Sequence, residues 1–258
     1  MAARHQPAGA GGDAGHPGAR GLAGGRFAQL RFVNSGSSIV PRDLILAFHA
    51  RGVPVAQVYG STETGPVSIA LRPDDAMARP GSVGRPAPGV RLGLVDERGV
   101  DVPLGEVGEI LLRAPSLMRG YHRQPAGAGF VDGCLATGDL AHADAGGWVT
   151  VVGRSKDLIT SGGENIYPAE IENLAVCWPG VAEAAVVGQA DARWGEVPVL
   201  VLTARPGETV DLAALRAHLA RQLAGFKQPR RILLADGLPR TALGKVQRAV
   251  LRERLPGG

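Results

Sequence analysis

The sequence predicts a mixed protein, α/β in its earlier part and α+β in its later part. A strand–helix–strand order runs from "LRFV" to "VPVAQVY". Short strands broken by Gly and Pro follow from Arg79 to Gly153, and helical and strand patterns then alternate from Arg154 to Gly258. The 258-residue chain is 45% hydrophobic but only 4% aromatic, so a core can form and aliphatic side chains must fill it.

The elements follow in order. Residues 1–26 are rich in Gly and Ala, show no periodicity, and are expected to be a disordered lead-in. After the strand "LRFV", Pro41 is expected to open a helix at its first helical position, with Leu44, Ile45 and Phe48 on one face. "VPVAQVY" reads as a buried strand. "VRLGLVD" and "VGEILLR" read as strands joined through the turn residues of "DERG", and "GWVTVVG" as a third. A helix opened by Pro168 and stopped by "WPG" comes next, then strands at 184–188 and 197–204. "DLAALRAHLARQLAG" has helical spacing, Asp211 as N-cap and Gly225 as stop; "RRILLAD" is a strand and "VQRAVLRERL" a last helix. Domains are therefore expected at 27–153 and 154–258, meeting at the charged cluster "GRSKD".

Charge and composition exclude several function classes. A net charge of +4 is too small an excess to argue for nucleic acid and is compatible with phosphate-bearing small molecules; the basic tail of Arg240, Lys245, Arg248, Arg252 and Arg254 is as readily a plain solvated helix face as a functional one. The sequence has neither a long apolar run that would span a membrane nor an apolar segment typical of a signal peptide. Cys134 and Cys177 lack metal-type spacing and read as buried small residues in a reducing compartment, which predicts a cytoplasmic location.

Four motifs carry chemistry. "YGSTETG", Tyr59 to Gly65, follows a buried strand, and hydroxyls and glycines at a strand's carboxyl end can hold a phosphate through backbone N–H groups. Glu63 suits Mg²⁺, which takes oxygen ligands, and Tyr59 offers a flat face for a base. "TGDL" sets Asp139 in a Gly-flanked loop, where a carboxylate can accept from both ribose hydroxyls. "GRSKDLITSGGENIYPAEIENL" puts Arg, Lys and Asp before a flexible glycine loop, as in a site that grips an anion and moves. "PRTALGK" places Lys245 after a glycine in a loop. Taken alone, "YGSTETG", "TGDL" and "PRTALGK" read better as an ordinary turn with a Thr cap, a turn Asp and an exposed loop lysine.

Taken together with "NSGSSIVP", in this order and spacing, these motifs resemble the AMP-forming acyl/aryl-CoA synthetases, over the stretch from about Leu30 to the C-terminus. The resemblance implies the β-rich C-terminal part of an adenylate-forming large domain followed by a small mobile α+β domain. It implies a two-step reaction in which a carboxylate attacks the α-phosphate of ATP, giving an acyl-adenylate, and the thiol of coenzyme A then displaces AMP. ATP, Mg²⁺ and coenzyme A are the implied cofactors and a small carboxylic acid the substrate.

Residue roles follow from the resemblance where motifs match. Gly36, Ser37 and Ser38 match a loop lining the adenine and acyl pocket, and Gln57, Tyr59 and Gly60 match the adenine side. Thr62 matches the α-phosphate ligand, Glu63 the magnesium ligand, Asp139 the ribose ligand and Arg154 its support. Lys156 matches the hinge, Gly162 and Gly163 the pantetheine tunnel, and Asn165 a nucleotide-side contact. Lys245 matches the lysine that meets the α-phosphate and the substrate carboxylate in the first step. Attack on phosphorus brings two anions together, so a mobile point charge there is physically apt. Trp194 and Phe226 read as core packing rather than as platforms for the CoA nucleotide.

The family's Ser/Thr/Gly-rich phosphate loop is not found in this sequence, so most of the large domain is expected to be missing. A truncated product, a split enzyme whose other chain carries the N-terminal part, and a misplaced start all fit. The leading reading is an acid–thiol ligase for a fatty or aryl acid. Its rivals are a non-catalytic nucleotide- or CoA-binding remnant and a peptide-synthetase-type adenylation domain.

Overall fold

A computed structural model describes residues 27, 29–36, 39–242 and 244–255. The expected lead-in over 1–26 and the site residues Ser37 and Ser38 lie outside the described residues. The architecture is mixed α/β and α+β, and the chain divides into two compact units, one ending at Ser155 and the other beginning at Lys156.

The first unit holds two sheets. In one, β1 (Val33–Ser35), β2 (Val55–Ser61), β3 (Gly65–Ala70) and β4 (Arg85–Pro86) lie side by side, with β1 parallel to β2 through the crossover helix α1 (Arg42–His49). Pro41 is the N-cap of α1 rather than its first helical residue, and Ile45 is the residue that α1 buries completely. A short helix α2 (Pro73–Ala76) links β3 to β4. The second sheet has the order β5 (Arg91–Val95), β6 (Gly108–Arg113), β8 (Cys134–Ala143), β7 (Phe130–Val131), and β9 (Val149–Arg154) also pairs with β8. The two sheets share one core, in which Ile69 of β3 meets Ile110, Leu112, Ala141 and Val149. Asp96 closes the β5 turn by accepting from the backbone N–H groups of Arg98 and Val100, as "DERG" implied.

The second unit is one sheet covered on both faces. Its path is β11 (Glu164–Ile166), β10 (Ile159–Ser161), β13 (Gly195–Ala204), β12 (Val181–Asp191), with β14 (Arg231–Leu234) parallel to β13. Val186, Leu200 and Leu202 face α3 (Pro168–Val176) and α4 (Leu212–Gln222), packing on Ile171, Leu215 and Leu219. Ala185, Val187, Val199 and Val201 face the other way, toward Leu238 and Leu251 of α5 (Arg248–Glu253). A strand buried on both faces must be apolar at every position, which explains the unbroken "VPVLVL" of β13.

The α4 N-terminus is capped as expected, with Asp211 Oδ1 accepting from Ala213 and Ala214 N–H. Its C-terminus is not set by Gly225, since the chain already turns extended at Leu223 and Gly225 starts a short 3-10 turn. The cysteines also depart from expectation. Cys177 is exposed and Cys134 half-buried, because one caps the end of α3 and the other begins β8 at its hairpin. The basic tail is solvated only in part: Lys245 and Arg254 are exposed, but three of its arginines are bonded. Arg240 pairs with Glu183, Arg252 donates to Gly188 O at 3.1 Å, and Arg248 bonds both oxygens of Glu172 at 2.7 and 2.9 Å.

Glu172 is the polar hub of the second unit. One of its oxygens also accepts from Val186 N–H at 2.7 Å, tying α3 to β12, while Arg248 brings in α5 and lies 3.5 Å from Asp157. Glu172→Ala strands the Arg248 charge and the Val186 N–H together, so it is expected to destabilise this unit by roughly 2–3 kcal/mol. Asp157→Ala, which removes only the longer contact, costs less. Chemical denaturation of both variants checks the order.

Candidate active site

In the first unit, the strand β2 delivers Tyr59 and the turn after it. The turn is built by hydroxyls: Thr64 Oγ1 accepts from Ser61 N–H at 2.8 Å, and Ser61 Oγ accepts from Glu63 and Thr64 N–H at 3.2 and 3.3 Å. Thr64 is 1% exposed, and its carbonyl accepts from Ser68 and Ser116. This buried threonine holds the turn, which leaves Thr62 exposed at the tip and Glu63 half-buried beside it. Glu63 is fixed further by its carbonyl, which accepts from Met118 N–H at 2.8 Å. Sequence reasoning missed Thr64 because the motif contains two threonines that spacing cannot tell apart.

Gly60 lies where the turn closes most tightly, for a Cβ there would stand 2.5 Å from Gly65 O. Gly36, directly after β1, lies similarly close to Val58. Gln57 is buried, and its amide donates to Ser82 O at 2.9 Å. It therefore braces the chain just before β4 with one amide N–H, and its second N–H and its carbonyl oxygen remain for another partner.

Asp139 lies within β8, not in a loop as its flanking glycine suggested. The pairing of β6 with β8 slips between Glu109 and Leu111, so Ile110 alone faces Thr137, Gly138 and Asp139. Gly138 takes a φ of +71°, a conformation glycine adopts without strain, and the strand bulges there. Both oxygens of Asp139 are engaged: Tyr59 Oη donates to Oδ2 at 2.7 Å and Arg154 Nε pairs with Oδ1 at 2.8 Å. Arg154 closes the group by donating to Thr137 O at 3.2 Å. Tyr59, Asp139 and Arg154 thus form one cluster, with a carboxylate that retains lone pairs for further donors.

In the second unit, Lys156 is exposed within a 3-10 turn at Ser155–Asp157. Gly162 and Gly163 are not a flexible loop. They are the two central residues of a tight hairpin joining β10 to β11, with φ of +60° and +89°, as the primed hairpin turns require. Gly162 N–H donates to Trp194 O at 2.8 Å, and a Cβ on Gly162 would stand 2.8 Å from the Trp194 ring. Asn165 is exposed on β11. Trp194 and Phe226 are 39% and 41% exposed, so neither is core, and Arg193 stacks over the Trp194 ring at 4.7 Å. Both lie within turns, Trp194 between β12 and β13 and Phe226 in the 3-10 turn Gly225–Lys227, which put their rings at the surface and which an apolar-residue count could not register.

Lys245 is exposed, and the backbone on either side of it is bonded. Thr241 N–H donates to Lys245 O at 2.8 Å, Lys245 N–H to Thr241 Oγ1 at 3.2 Å, and Arg240 forms a bridge with Val246. Its ammonium is thus displayed from a braced turn.

Burial holds the Tyr59 phenol far above the ordinary tyrosine range, and the Asp139 carboxylate beside it pushes the same way. A raised folded-state value means that the stability tied to this proton is complete below about pH 10 and is lost as pH climbs above it. Absorbance titration is expected to show a phenol that ionises late in the wild type and is missing in Tyr59→Phe. Asp139→Asn brings that ionisation to lower pH; an unshifted curve contradicts the coupling.

The chain matches the family model for the AMP-binding enzymes over residues 5–122 and that for the AMP-binding enzyme C-terminal domain over residues 170–245. It is 47% identical over 229 residues to indoleacetate–CoA ligase of Aromatoleum aromaticum, covering 88% of this chain and 45% of that one. It is 40% identical to feruloyl-CoA synthase of an Amycolatopsis species, covering 88% of this chain and 47% of that protein. Among solved structures, o-succinylbenzoate CoA synthetase from Bacillus subtilis, in complex with its acyl-adenylate intermediate, superposes with a TM-score of 0.82 at 35% identity, over 89% of this chain and 47% of that one. An anthranilate CoA ligase in complex with anthranoyl-AMP superposes with a TM-score of 0.81. The chain thus spans about half the length of the relatives it matches. It belongs to the AMP-forming acyl/aryl-CoA synthetase superfamily and corresponds to the C-terminal portion of a larger member.

Proposed function

We propose that this chain is the C-terminal portion of an acid–thiol ligase that makes an acyl-adenylate from ATP and a carboxylic acid, then an acyl-CoA thioester. The observation that supports this best is the Tyr59–Asp139–Arg154 cluster, a ring and an oriented carboxylate side by side, as adenosine recognition needs. The 47% identity to an indoleacetate–CoA ligase supports an aryl acid as the substrate, while a fatty acid–acyl-carrier-protein ligase at 43% keeps a fatty acid as the second reading.

In this reading Asp139 accepts from the ribose hydroxyls while Arg154 and Tyr59 hold its carboxylate in register. Thr62, at the tip of the hydroxyl turn, meets the α-phosphate. The oxygen donors of Glu63 and Thr62 suit Mg²⁺, whose charge offsets that of the phosphates when bound. Lys245 brings its ammonium to the α-phosphate and the attacking carboxylate, offsetting the repulsion of two anions. The hairpin at Gly162 and Gly163 borders the path of the thiol, where the missing side chains leave room for a thin ligand. Asn165 stands on the nucleotide side, and Lys156 is the hinge about which the second unit reorients between the two steps. A preceding stretch of chain or a separate polypeptide supplies the phosphate loop. The reaction's nucleotide and CoA substrates fit a cytoplasmic enzyme. Among the described residues no helix is long and apolar enough to cross a membrane.

The test joins this chain to the N-terminal half of the Aromatoleum relative. Acid-dependent ATP–pyrophosphate exchange is expected from the fusion. Lys245→Ala lowers that exchange by roughly 10²–10³-fold, the usual effect of removing one charge-stabilising contact. It leaves CoA thioester formation from a pre-made acyl-adenylate largely intact. Equal loss in both half-reactions shows that Lys245 has been misassigned, and a silent fusion of wild-type sequence counts against the ligase reading itself.

A further inference from the structure

The slip between β6 and β8 leaves a stretch of β8 without regular partners on the β6 side, and the hydrogen bonds there come from side chains. Gly138 N–H donates to Glu109 Oε1 at 2.8 Å. Asp139 N–H donates to Thr137 Oγ1 at 3.1 Å, and the same hydroxyl donates to Ile110 O at 2.9 Å. Glu109 and Thr137 therefore take over the ladder for the residues that interrupt it. Backbone groups in a half-buried bulge need such partners, and without them the bulge relaxes toward regular pairing. A one-residue change in register turns a side chain to the opposite face of the sheet, so the bulge decides where the Asp139 carboxylate points.

We infer that Glu109 and Thr137 are positioning residues for ribose recognition, acting through the Gly138 bulge to hold Asp139 in register for the nucleotide's hydroxyls. This rests on the proposed role of Asp139 as ribose ligand. Neither residue needs to touch the nucleotide. Glu109 is a carboxylate beside the apolar run "ILL" of β6, and it bonds a backbone amide. A charged acceptor makes that bond stronger than a neutral one would be, which suits a joint that must not slip.

The experiment measures binding of AMP, 2′-deoxy-AMP and 3′-deoxy-AMP to the 258-residue chain by equilibrium dialysis. The wild type is expected to prefer AMP to at least one deoxy analogue by roughly tenfold, as a hydrogen bond to a charged group gives. Glu109→Ala and Thr137→Val bring that ratio toward unity by weakening AMP more than the deoxy analogues, and Glu109→Gln, which keeps an oxygen acceptor, restores most of it. A merely structural role weakens all three nucleotides alike and preserves the ratio; that result overturns the inference. Asp139→Ala separates the two layers. If it leaves the ratio intact, or if the wild type binds no AMP, the ribose reading fails and the inference falls with it. If it abolishes the ratio while Glu109→Ala and Thr137→Val do not, only the inference fails. Amide exchange at Gly138 gives a ligand-free check: it accelerates in Glu109→Ala and stays slow in Glu109→Gln, and equal rates in the two contradict the acceptor role.

Discussion

The first unit depends on one carboxylate. Asp139 joins its two sheets: Tyr59 comes from β2 of the first sheet, while Arg154 comes from β9, beside Asp139 in the second. The apolar core beneath brings the sheets together without fixing their side chains to an ångström, because dispersion and burial are not directional. Two charge-assisted or short hydrogen bonds to one carboxylate supply that direction. The bulge at Gly138 and the orientation of Arg154 both serve to keep this group where both partners reach it.

The second unit solves the same problem around Glu172. There the carboxylate serves a strand N–H and a guanidinium at once, so α3, β12 and α5 meet at a single residue. Arg248 stands three positions beyond Lys245, and its anchoring fixes the C-terminal end of the segment that displays the lysine. In both units a buried apolar sheet provides cohesion and one carboxylate provides register.

Much of this was legible in the sequence, and the reasons are local. The continuous apolar run of β13, the Asp211 cap and the turn chemistry of "DERG" each state their structure within a few residues. The site motifs were legible as a set because their order resembles one family. What escaped was whatever depends on a distant partner. Asp139 seemed to lie in a loop because its glycine neighbour breaks periodicity, while the strand that absorbs the break is supplied by Glu109, 29 residues earlier in the chain. The glycine pair at 162–163 suggested flexibility, yet paired strands on either side turn the same residues into a tight corner. The arginines of the tail suggested solvent, since nothing near them in sequence announces Glu172 or Glu183.

The braced turn beneath Lys245 has a further consequence. Thr241 and Lys245 exchange backbone and side-chain bonds, and Arg240 ties the same turn to Glu183 of β12. The lysine is therefore mounted on a pivot instead of a tether. Its reach is the length of its own stem, and the disorder lost when its charge settles on an anion is that of one side chain, about 2 kcal/mol. A slack loop would add the ordering of each of its residues, at roughly 1–2 kcal/mol apiece. Any adjustment of the ammonium's position is left to the four torsions of that stem.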